Sequence, residues 1–111
     1  MSVKGGPNTV TSGLVLELDA GNIKSYQSGS TTWYDKSGNA NNGTLTNGPT
    51  FNSNGWIVFD GVDDYINCGN INITNGFTYE VWTNPTNFSP QYGLLGQGPA
   101  SNNQGLHITY I

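Results

Sequence analysis

Three aspartates fall within five positions of one another, at Asp60, Asp63 and Asp64, around the glycine of an Asp-Gly pair. Carboxylate oxygens grouped in one turn are the ligands that Ca²⁺ prefers. The spacing differs from that of an EF-hand loop, and aspartate and glycine are also the residues that any tight turn favours. The sequence therefore allows a calcium site at these three residues or an ordinary turn, and it indicates no other cofactor.

A second group of polar side chains surrounds two aromatic residues between positions 33 and 42. Asp35, Asn39 and Asn42 offer carboxylate and amide groups beside Trp33 and Tyr34. Carbohydrate sites commonly combine hydrogen-bonding groups of this kind with an aromatic platform. The alternative is a loop whose polar side chains satisfy the loop's own backbone. We keep both interpretations, a glycan site and a self-supporting loop.

No set of residues in the sequence predicts catalysis. Glu17 and Asp19 stand two positions apart, which on a strand separates them by ~6.6 Å, whereas retaining glycosidases hold their carboxylates ~5 to 5.5 Å apart. A strained nucleophile turn of the G-x-S-x-G type is missing from the sequence. His107 has no second histidine with which to form a metal set. We therefore predict that the protein is not an enzyme and has no catalytic residues.

The charge balance excludes two classes of partner. The 111 residues carry three lysines, no arginine and a formal net charge of -4, so the electrostatic attraction that drives nucleic-acid binding is missing. No apolar run approaches the ~20 residues that a membrane span requires. Cys68 is the single cysteine, and we expect it to be a small buried hydrophobic residue. Nucleic acid and membrane insertion are therefore not expected.

The sequence predicts that strands and long turns position these residues. Residues 1–12 combine glycine, proline and small polar residues and predict an extended N-terminal arm. Leu14, Leu16 and Leu18 alternate with Val15, Glu17 and Asp19, which predicts a strand with its leucines on one face, in the core. The following stretch up to residue 37 predicts a long loop held down by aromatic residues, including Tyr26.

Further strands are predicted at 44–46, 56–60, 65–68, 77–83, 92–96 and 105–111. The segments 56–60 and 65–68 are predicted to form a hairpin through the turn at 61–64. Trp56 and Trp82 fall inside these patterns, so we expect both to be packed. Asn-Gly pairs at 42, 47, 54 and 75 are expected at turns. No helical periodicity occurs, and the pattern predicts an all-β antiparallel sandwich or jelly roll. The last strand ends on apolar residues, which suggests that more chain or another chain completes its sheet.

Five motifs occur in order along the chain. They are residues 14–22 (LVLELDAGN), 32–35 (TWYD) with 37–39 (SGN), 42–45 (NGTL), 59–61 (FDG) with 64–65 (DY), and 77–82 (FTYEVW). Together they resemble the laminin-G-like jelly rolls of the concanavalin A-like lectin/glucanase superfamily, in the version found in bacteriophage structural proteins and bacterial surface proteins. The resemblance covers nearly all of the chain from Gly13 onward.

This resemblance implies a β-sandwich over residues 13–111 that forms the N-terminal part of a full jelly roll, because domains of this kind usually contain more strands. Several members of the superfamily also hold a calcium ion at the rim. The superfamily includes lectins, hydrolases, adhesion modules and purely structural domains, so the fold alone identifies no ligand.

Taken together, these features predict a non-enzymatic structural module of a bacteriophage virion, either a capsid decoration or a tail or fibre component, with glycan adhesion as an additional property. The chain begins without a secretory signal, which fits synthesis in the host cytoplasm. The expected partners are other virion or surface proteins, including copies of itself, and host-surface glycans. The alternative is a carbohydrate-binding adhesion module of a bacterial surface protein or of a larger enzyme, located at the cell surface.

Overall fold

The computed structural model describes residues 10–71, 76–86, 95–100 and 103–108. These residues contain seven strands and no helix. The strands are β1 (Thr32–Trp33), β2 (Gly43–Thr46), β3 (Thr50–Asn52), β4 (Trp56–Val58), β5 (Tyr65–Asn67), β6 (Leu95–Ala100) and β7 (Asn103–Ile108). Accordingly, no helix in the described ranges is long and apolar enough to cross a membrane.

The strands form two antiparallel sheets, which confirms the predicted all-β class. The larger sheet has the strand order β1-β2-β5-β7-β6, and the smaller one pairs β3 with β4. Leu45 of β2 lies opposite Ile66 of β5, and Ile66 lies opposite Ile108 of β7. Strand β5 is therefore the central strand of the larger sheet, and its middle residue, Ile66, is fully buried.

The hydrophobic core is built on β5 and the residues that follow it. Ile66, Cys68 and Ile71 are buried. Half-buried side chains that pack against them come from distant parts of the chain: Leu16, Leu18, Trp33, Leu45 and Phe59. The prediction that Cys68 is a buried hydrophobic residue is confirmed.

A row of three aromatic rings connects the two sheets. Tyr26 packs nearly perpendicular to Trp33 of β1, with ring centroids 6.4 Å apart, and lies 5.1 Å from Phe51 of β3. The Tyr26 hydroxyl donates a hydrogen bond of 2.7 Å to the Ser30 carbonyl, and burial raises its pKa. The loop predicted to be held down by aromatic residues is thus anchored through Tyr26.

Residues 14–19 do not form a strand, although the alternation of leucines predicted one. Leu16 and Leu18 do face the core as expected. Their backbone, however, is held by a loop: the Lys36 N–H donates to the Glu17 carbonyl at 2.8 Å, and the Asp19 N–H donates to the Ser25 hydroxyl at 3.0 Å. One backbone donor and one side-chain acceptor from the loops here take the place of a neighbouring strand.

The predicted hairpin between 56–60 and 65–68 is wrong. Strand β4 pairs with the preceding strand, β3, in the smaller sheet, whereas β5 pairs with β2 in the larger one. The hairpin turn lies instead at residues 53–55, where Gly55 has φ +104° and its N–H donates to the Asn52 carbonyl at 2.9 Å. The turn at Asn54 and Gly55 is a shorter connection than residues 59–64, which link β4 to β5. Strand β4 therefore pairs with the strand that precedes it.

The segment 76–86, which includes the strand predicted at 77–83, forms no strand in the structure. Alternating apolar residues predict an extended conformation, but a strand also requires a partner that pairs with its backbone. The packing expected for two tryptophans is also wrong, because Trp56 is 50% exposed and Trp82 is 93% exposed. Most of the predicted N-terminal arm and the last three residues of the predicted final strand lie outside the described residues.

Candidate functional site

The carboxylate of Asp35 lies at the centre of the polar loop singled out in the sequence. Its Oδ1 accepts hydrogen bonds from the backbone N–H groups of Glu17 at 2.9 Å and Ser37 at 2.8 Å. Its Oδ2 accepts from the Ser37 hydroxyl at 2.7 Å and from the Asn41 N–H at 2.9 Å. Both oxygens of this carboxylate are thus occupied by groups of the protein itself.

The neighbouring amides have similar roles. The Asn42 side-chain oxygen accepts from the Asp35 N–H at 2.9 Å. The Asn39 amide donates to the Leu14 carbonyl at 3.0 Å and that of Asn41 to the Val15 carbonyl at 2.9 Å. The structure therefore brings Asp35, Asn39 and Asn42 together, but both Asp35 oxygens, the Asn39 amide nitrogen and the Asn42 amide oxygen are bonded to the chain itself.

The electrostatics of Asp35 follow from this arrangement. Burial raises the pKa of its carboxyl, but the hydrogen bonds from Glu17, Ser37 and Asn41 outweigh burial and hold the pKa below its ordinary value. Hydrogen bonds that favour a charged group have this effect because protonation weakens them. Asp35 is therefore an ionised structural anchor at neutral pH.

The two aromatic residues of the predicted glycan site differ in position. Trp33 is half-buried against the core, and its indole N–H is buried without a hydrogen-bond partner. The Tyr34 ring is exposed, while its backbone is fixed by Ser25: the Ser25 hydroxyl donates to the Tyr34 carbonyl at 2.6 Å, and the Tyr34 N–H donates to the Ser25 carbonyl at 2.7 Å. Of the two rings, that of Tyr34 is the more exposed to solvent, at 46%.

Glu17 and Asp19, the two acids of the segment 14–19, also interact with other groups of the protein. Glu17 lies 3.7 Å from the Lys36 ammonium in an ion pair. The Asp19 carboxylate accepts a hydrogen bond of 2.9 Å from the Gly21 N–H. These contacts tie the chain on either side of Leu18 to the loops that cover the core.

The Cys68 thiol has low reactivity. Burial raises its pKa to about 12, and the nearby Asp35 carboxylate adds to the increase by disfavouring a second negative charge. Because the thiolate is the reactive form of cysteine, Cys68 stays protonated and unreactive at neutral pH. This property fits its place in the core.

The three aspartates of the predicted calcium site do come together. One carboxylate oxygen from each of Asp60, Asp63 and Asp64 lies within 4.8 Å of the others. The turn is ordered by its own side chains, because Asp64 Oδ2 accepts from the Asp60 N–H at 2.9 Å and Asp60 Oδ1 accepts from the Val62 N–H at 2.8 Å. Asp60 and Asp63 remain exposed, so their outer oxygens are accessible to an ion.

The second carboxylate oxygen of Asp64, Oδ1, is the atom of the cluster that most favours a bound cation. Asp64 is only 4% exposed, and its Oδ1 is buried without a hydrogen-bond partner. A buried, unpartnered carboxylate oxygen is costly unless a cation or donor satisfies it. The donor set consists of three carboxylates, and carboxylate oxygens are among the ligands that Ca²⁺ prefers. The residues present therefore fit a calcium ion.

We expect calcium to stabilise the protein through this cluster. With a dissociation constant of about 1 mM, as in extracellular calcium modules, 10 mM Ca²⁺ would add about 1.4 kcal/mol to the free energy of unfolding. That gain corresponds to an increase of about 5 °C in Tm. Differential scanning fluorimetry measures the shift, which the Asp64→Asn variant should lose and the Glu80→Gln variant, which removes an equal charge elsewhere, should keep. A wild-type protein with no Tm gain and no heat of binding in calorimetry contradicts the site.

One feature escaped the sequence reasoning: a groove that brings Ile23 and Tyr26 beside Phe51 and the tip of the β3–β4 hairpin. The available signal was the set of aromatic and apolar residues in the long loop. Their contact with β3 depends on pairing between segments about 25 residues apart, which local patterns do not specify.

The fold and these contacts define an all-β protein of two antiparallel sheets with a self-supporting polar loop and an acidic turn. Comparisons with models of protein families, with curated proteins and with solved structures return no match to this chain. The laminin-G-like assignment therefore continues to depend on the five sequence motifs.

Proposed function

We propose that the protein is a non-enzymatic module on the outside of a bacteriophage particle, as a capsid decoration or a component of the tail or fibre. In this proposal the two sheets belong to a laminin-G-like jelly roll that is made in the host cytoplasm and assembles with other virion proteins. The observation that carries the proposal is a row of exposed aromatic side chains on the segment 76–86.

The exposure of this row is large. Trp82 is 93% exposed and Phe77 is 63% exposed, and the exposed Tyr79 ring lies 4.9 Å from the ring of Phe77. Single exposed apolar residues are common on protein surfaces, whereas neighbouring exposed apolar groups, such as the rings of Phe77 and Tyr79, mark interaction sites. Aromatic residues are also enriched where protein interfaces are most tightly packed. The row is therefore a candidate surface for a protein partner.

The backbone of the same segment supports pairing with a partner. None of the described hydrogen bonds involves residues 76–86, although their side chains alternate as in a strand. An extended segment with free N–H and C=O groups is a template for a strand of another chain. A permanent neighbour in a particle of many copies would satisfy both the backbone and the aromatic rings.

We expect the protein to be found in purified particles of the source phage by mass spectrometry. The Trp82→Ser variant should be incorporated at a strongly reduced level, because the side chain contributing most to the exposed row is removed. Val62→Ser is the matched control, since Val62 is 84% exposed but lies outside the row. Particles that lack the wild-type protein, or that incorporate Trp82→Ser at the wild-type level, contradict the proposal.

A carbohydrate-binding adhesion module is the second candidate function. The specific observation that favours it is the groove beside Tyr26, where polar side chains have no partners among the described residues. The exposed side chains of Gln27, Ser28, Ser53 and Asn54 make no hydrogen bond among the described residues, whereas both carboxylate oxygens of Asp35 do.

A further inference from the structure

Asparagine followed by glycine is the sequence at which a protein chain most readily modifies itself. The backbone nitrogen that follows the asparagine attacks the carbon of the side-chain amide, and glycine has no Cβ to hinder the approach. The chain contains four such pairs, at 42, 47, 54 and 75. The structure describes both residues of the first three pairs, and it holds their side chains differently.

The reaction sets a requirement on the asparagine side chain. Its Cγ must swing onto the nitrogen of the following glycine, so a side chain that is hydrogen-bonded elsewhere must first give up that bond. Breaking one hydrogen bond of ordinary strength slows the reaction by about fivefold. A glycine that is paired in a sheet adds to this protection, because the strand must open locally before the ring can form.

Two of the three described pairs are held by contacts of this kind. The Asn42 side-chain oxygen accepts from the Asp35 N–H at 2.9 Å, and Gly43 is buried in β2. The Asn47 amide donates to the Asp63 carbonyl at 2.9 Å. Both asparagine side chains are thus tied to another segment of the chain, and that of Asn42 also precedes a glycine fixed in the sheet.

The Asn54 side chain lacks such a contact. Asn54 is exposed at the tip of the β3–β4 hairpin, and its amide group makes no hydrogen bond to any described residue. Its backbone N–H donates to the Asn52 side-chain oxygen at 2.8 Å, a bond that does not involve the Asn54 amide. This amide can therefore turn toward the following nitrogen without breaking a bond of its own.

The attacking nitrogen belongs to Gly55, where the fold requires glycine. The φ of Gly55 is +104°, and a Cβ there would lie 3.1 Å from the Gly21 Cα, so the side chain that would slow the reaction is excluded. The Gly55 N–H does donate to the Asn52 carbonyl at 2.9 Å. This turn bond closes a ribbon with only three residues in each strand, and so short a ribbon opens at its tip at little cost.

We propose that Asn54 is a site of spontaneous deamidation, and that in the folded protein it is protected less than Asn42 and Asn47. The Gly55 nitrogen forms a bond to Asn54 Cγ while the Cγ–Nδ2 bond breaks, and Nδ2 leaves as ammonia with the proton of the Gly55 N–H. Water then opens either carbonyl of the five-membered ring, which gives an aspartyl or an isoaspartyl residue at position 54. One water is consumed and one ammonia released, without oxidation or reduction.

The product alters the hairpin tip in two ways. The new carboxylate adds negative charge to a chain whose formal net charge is already -4. The isoaspartyl form also inserts a methylene into the backbone between Ser53 and Gly55, where the tip approaches Gly21. The modified hairpin should therefore pack less closely against the loop that follows Ala20. This inference is independent of the proposed function, because it concerns the purified chain and water alone.

The test is an incubation of the full chain at mildly alkaline pH, followed over time by peptide mass spectrometry. Cleavage by chymotrypsin after leucine and aromatic residues places the three asparagines in separate peptides. A parallel sample in guanidinium chloride gives the rate of each site in the unfolded chain, so the ratio of the two rates measures the protection due to folding. We expect about twofold protection or less at Asn54, about fivefold at Asn47 and at least about 20-fold at Asn42.

The Asn54→Gln variant is the control, because its longer side chain keeps the amide but must close a larger ring. It should abolish the conversion in the peptide that spans residues 52–56 and leave the rate at Asn47 unchanged. Conversion that persists in this peptide would place the reaction at Asn52 and overturn the inference. Protection of Asn54 equal to that of Asn42 or Asn47 in the wild type would overturn it as well.

Discussion

The Asp35→Ala variant is expected to lose about 3 kcal/mol of its free energy of unfolding, because charge-assisted hydrogen bonds contribute more than neutral ones and their unpaired partners add a penalty. The carboxylate accepts from the N–H groups of Glu17, Ser37 and Asn41 and from the Ser37 hydroxyl. Removing it leaves three half-buried N–H groups without acceptors. It also releases residues 14–18, whose leucines cover the core.

Urea denaturation followed by far-ultraviolet circular dichroism measures this loss. Glu80→Ala is the control, since it removes a carboxylate of equal charge from an exposed side chain that makes no described contact, and its effect should stay within about 0.5 kcal/mol. If Asp35→Ala were as stable as Glu80→Ala, the loop would not depend on its carboxylate, and Asp35 would again be a candidate for ligand binding.

The pH dependence provides a second readout of the same anchor. The folded pKa of Asp35 lies below its ordinary value of 3.8, so the folded state binds this proton less readily than the unfolded state does. The stabilisation is therefore fully present above the unfolded pKa and is lost as the pH falls through the folded pKa. Between pH 5 and the acid range below about 4, the wild type should lose more stability than Asp35→Ala loses.

The sequence predicted local chemistry better than it predicted pairing. The Asn-Gly pair at 47 is a turn, with both residues at positive φ (67° for Asn47 and 102° for Gly48), as side-chain preference requires. The strand at 44–46 was also expected and is confirmed as part of β2. These features depend on a few neighbouring residues, so the sequence specifies them directly.

Strand partners depend on contacts between distant segments, and here the local patterns predicted the wrong pairing. Residues 56–58 and 65–67 have the alternation of a hairpin, but Asp60 and Asp64 order the intervening turn by side-chain bonds while the two strands enter different sheets. Residues 77–82 have the pattern of a strand, but nothing in that pattern says which backbone pairs with theirs. Periodicity identifies the apolar face of a segment, and it does not identify its neighbour.

The candidate site shows the same limit at the level of single atoms. Residue types correctly indicated that Asp35, Asn39 and Asn42 would gather, and that Asp60, Asp63 and Asp64 would do so too. The sequence could not show whether their oxygens face solvent or backbone, because that depends on where residues 14–17 run. In the structure this segment occupies the acceptors of Asp35, whereas nothing among the described residues satisfies Asp64 Oδ1.

The second large effect is expected at Gly43, where alanine should lower the free energy of unfolding by about 2 kcal/mol through overpacking. Gly43 was predicted to be in a turn and instead lies in β2, opposite Trp33 of β1. Its φ is ordinary, so the reason for glycine is space: a Cβ there would lie 2.5 Å from Ile66 Cγ2. Ile66 is fully buried and branched at Cβ, so it cannot swing that methyl group aside. A glycine within a strand often marks such a close approach.

A double-mutant cycle separates this steric effect from a general loss of strand structure. Ile66→Ala alone should cost about 2 to 5 kcal/mol, because it leaves a cavity in the core. In the Ile66→Ala background the methyl group that blocks residue 43 is gone, so Gly43→Ala should cost nothing further and the two effects should fall short of additivity by at least about 1 kcal/mol. Gly76→Ala is the matched control, since a Cβ there meets nothing within 4 Å. Additive costs in the cycle would mean that Gly43 is required for its backbone, and that the contact between β2 and the centre of β5 is not what selects glycine at this position.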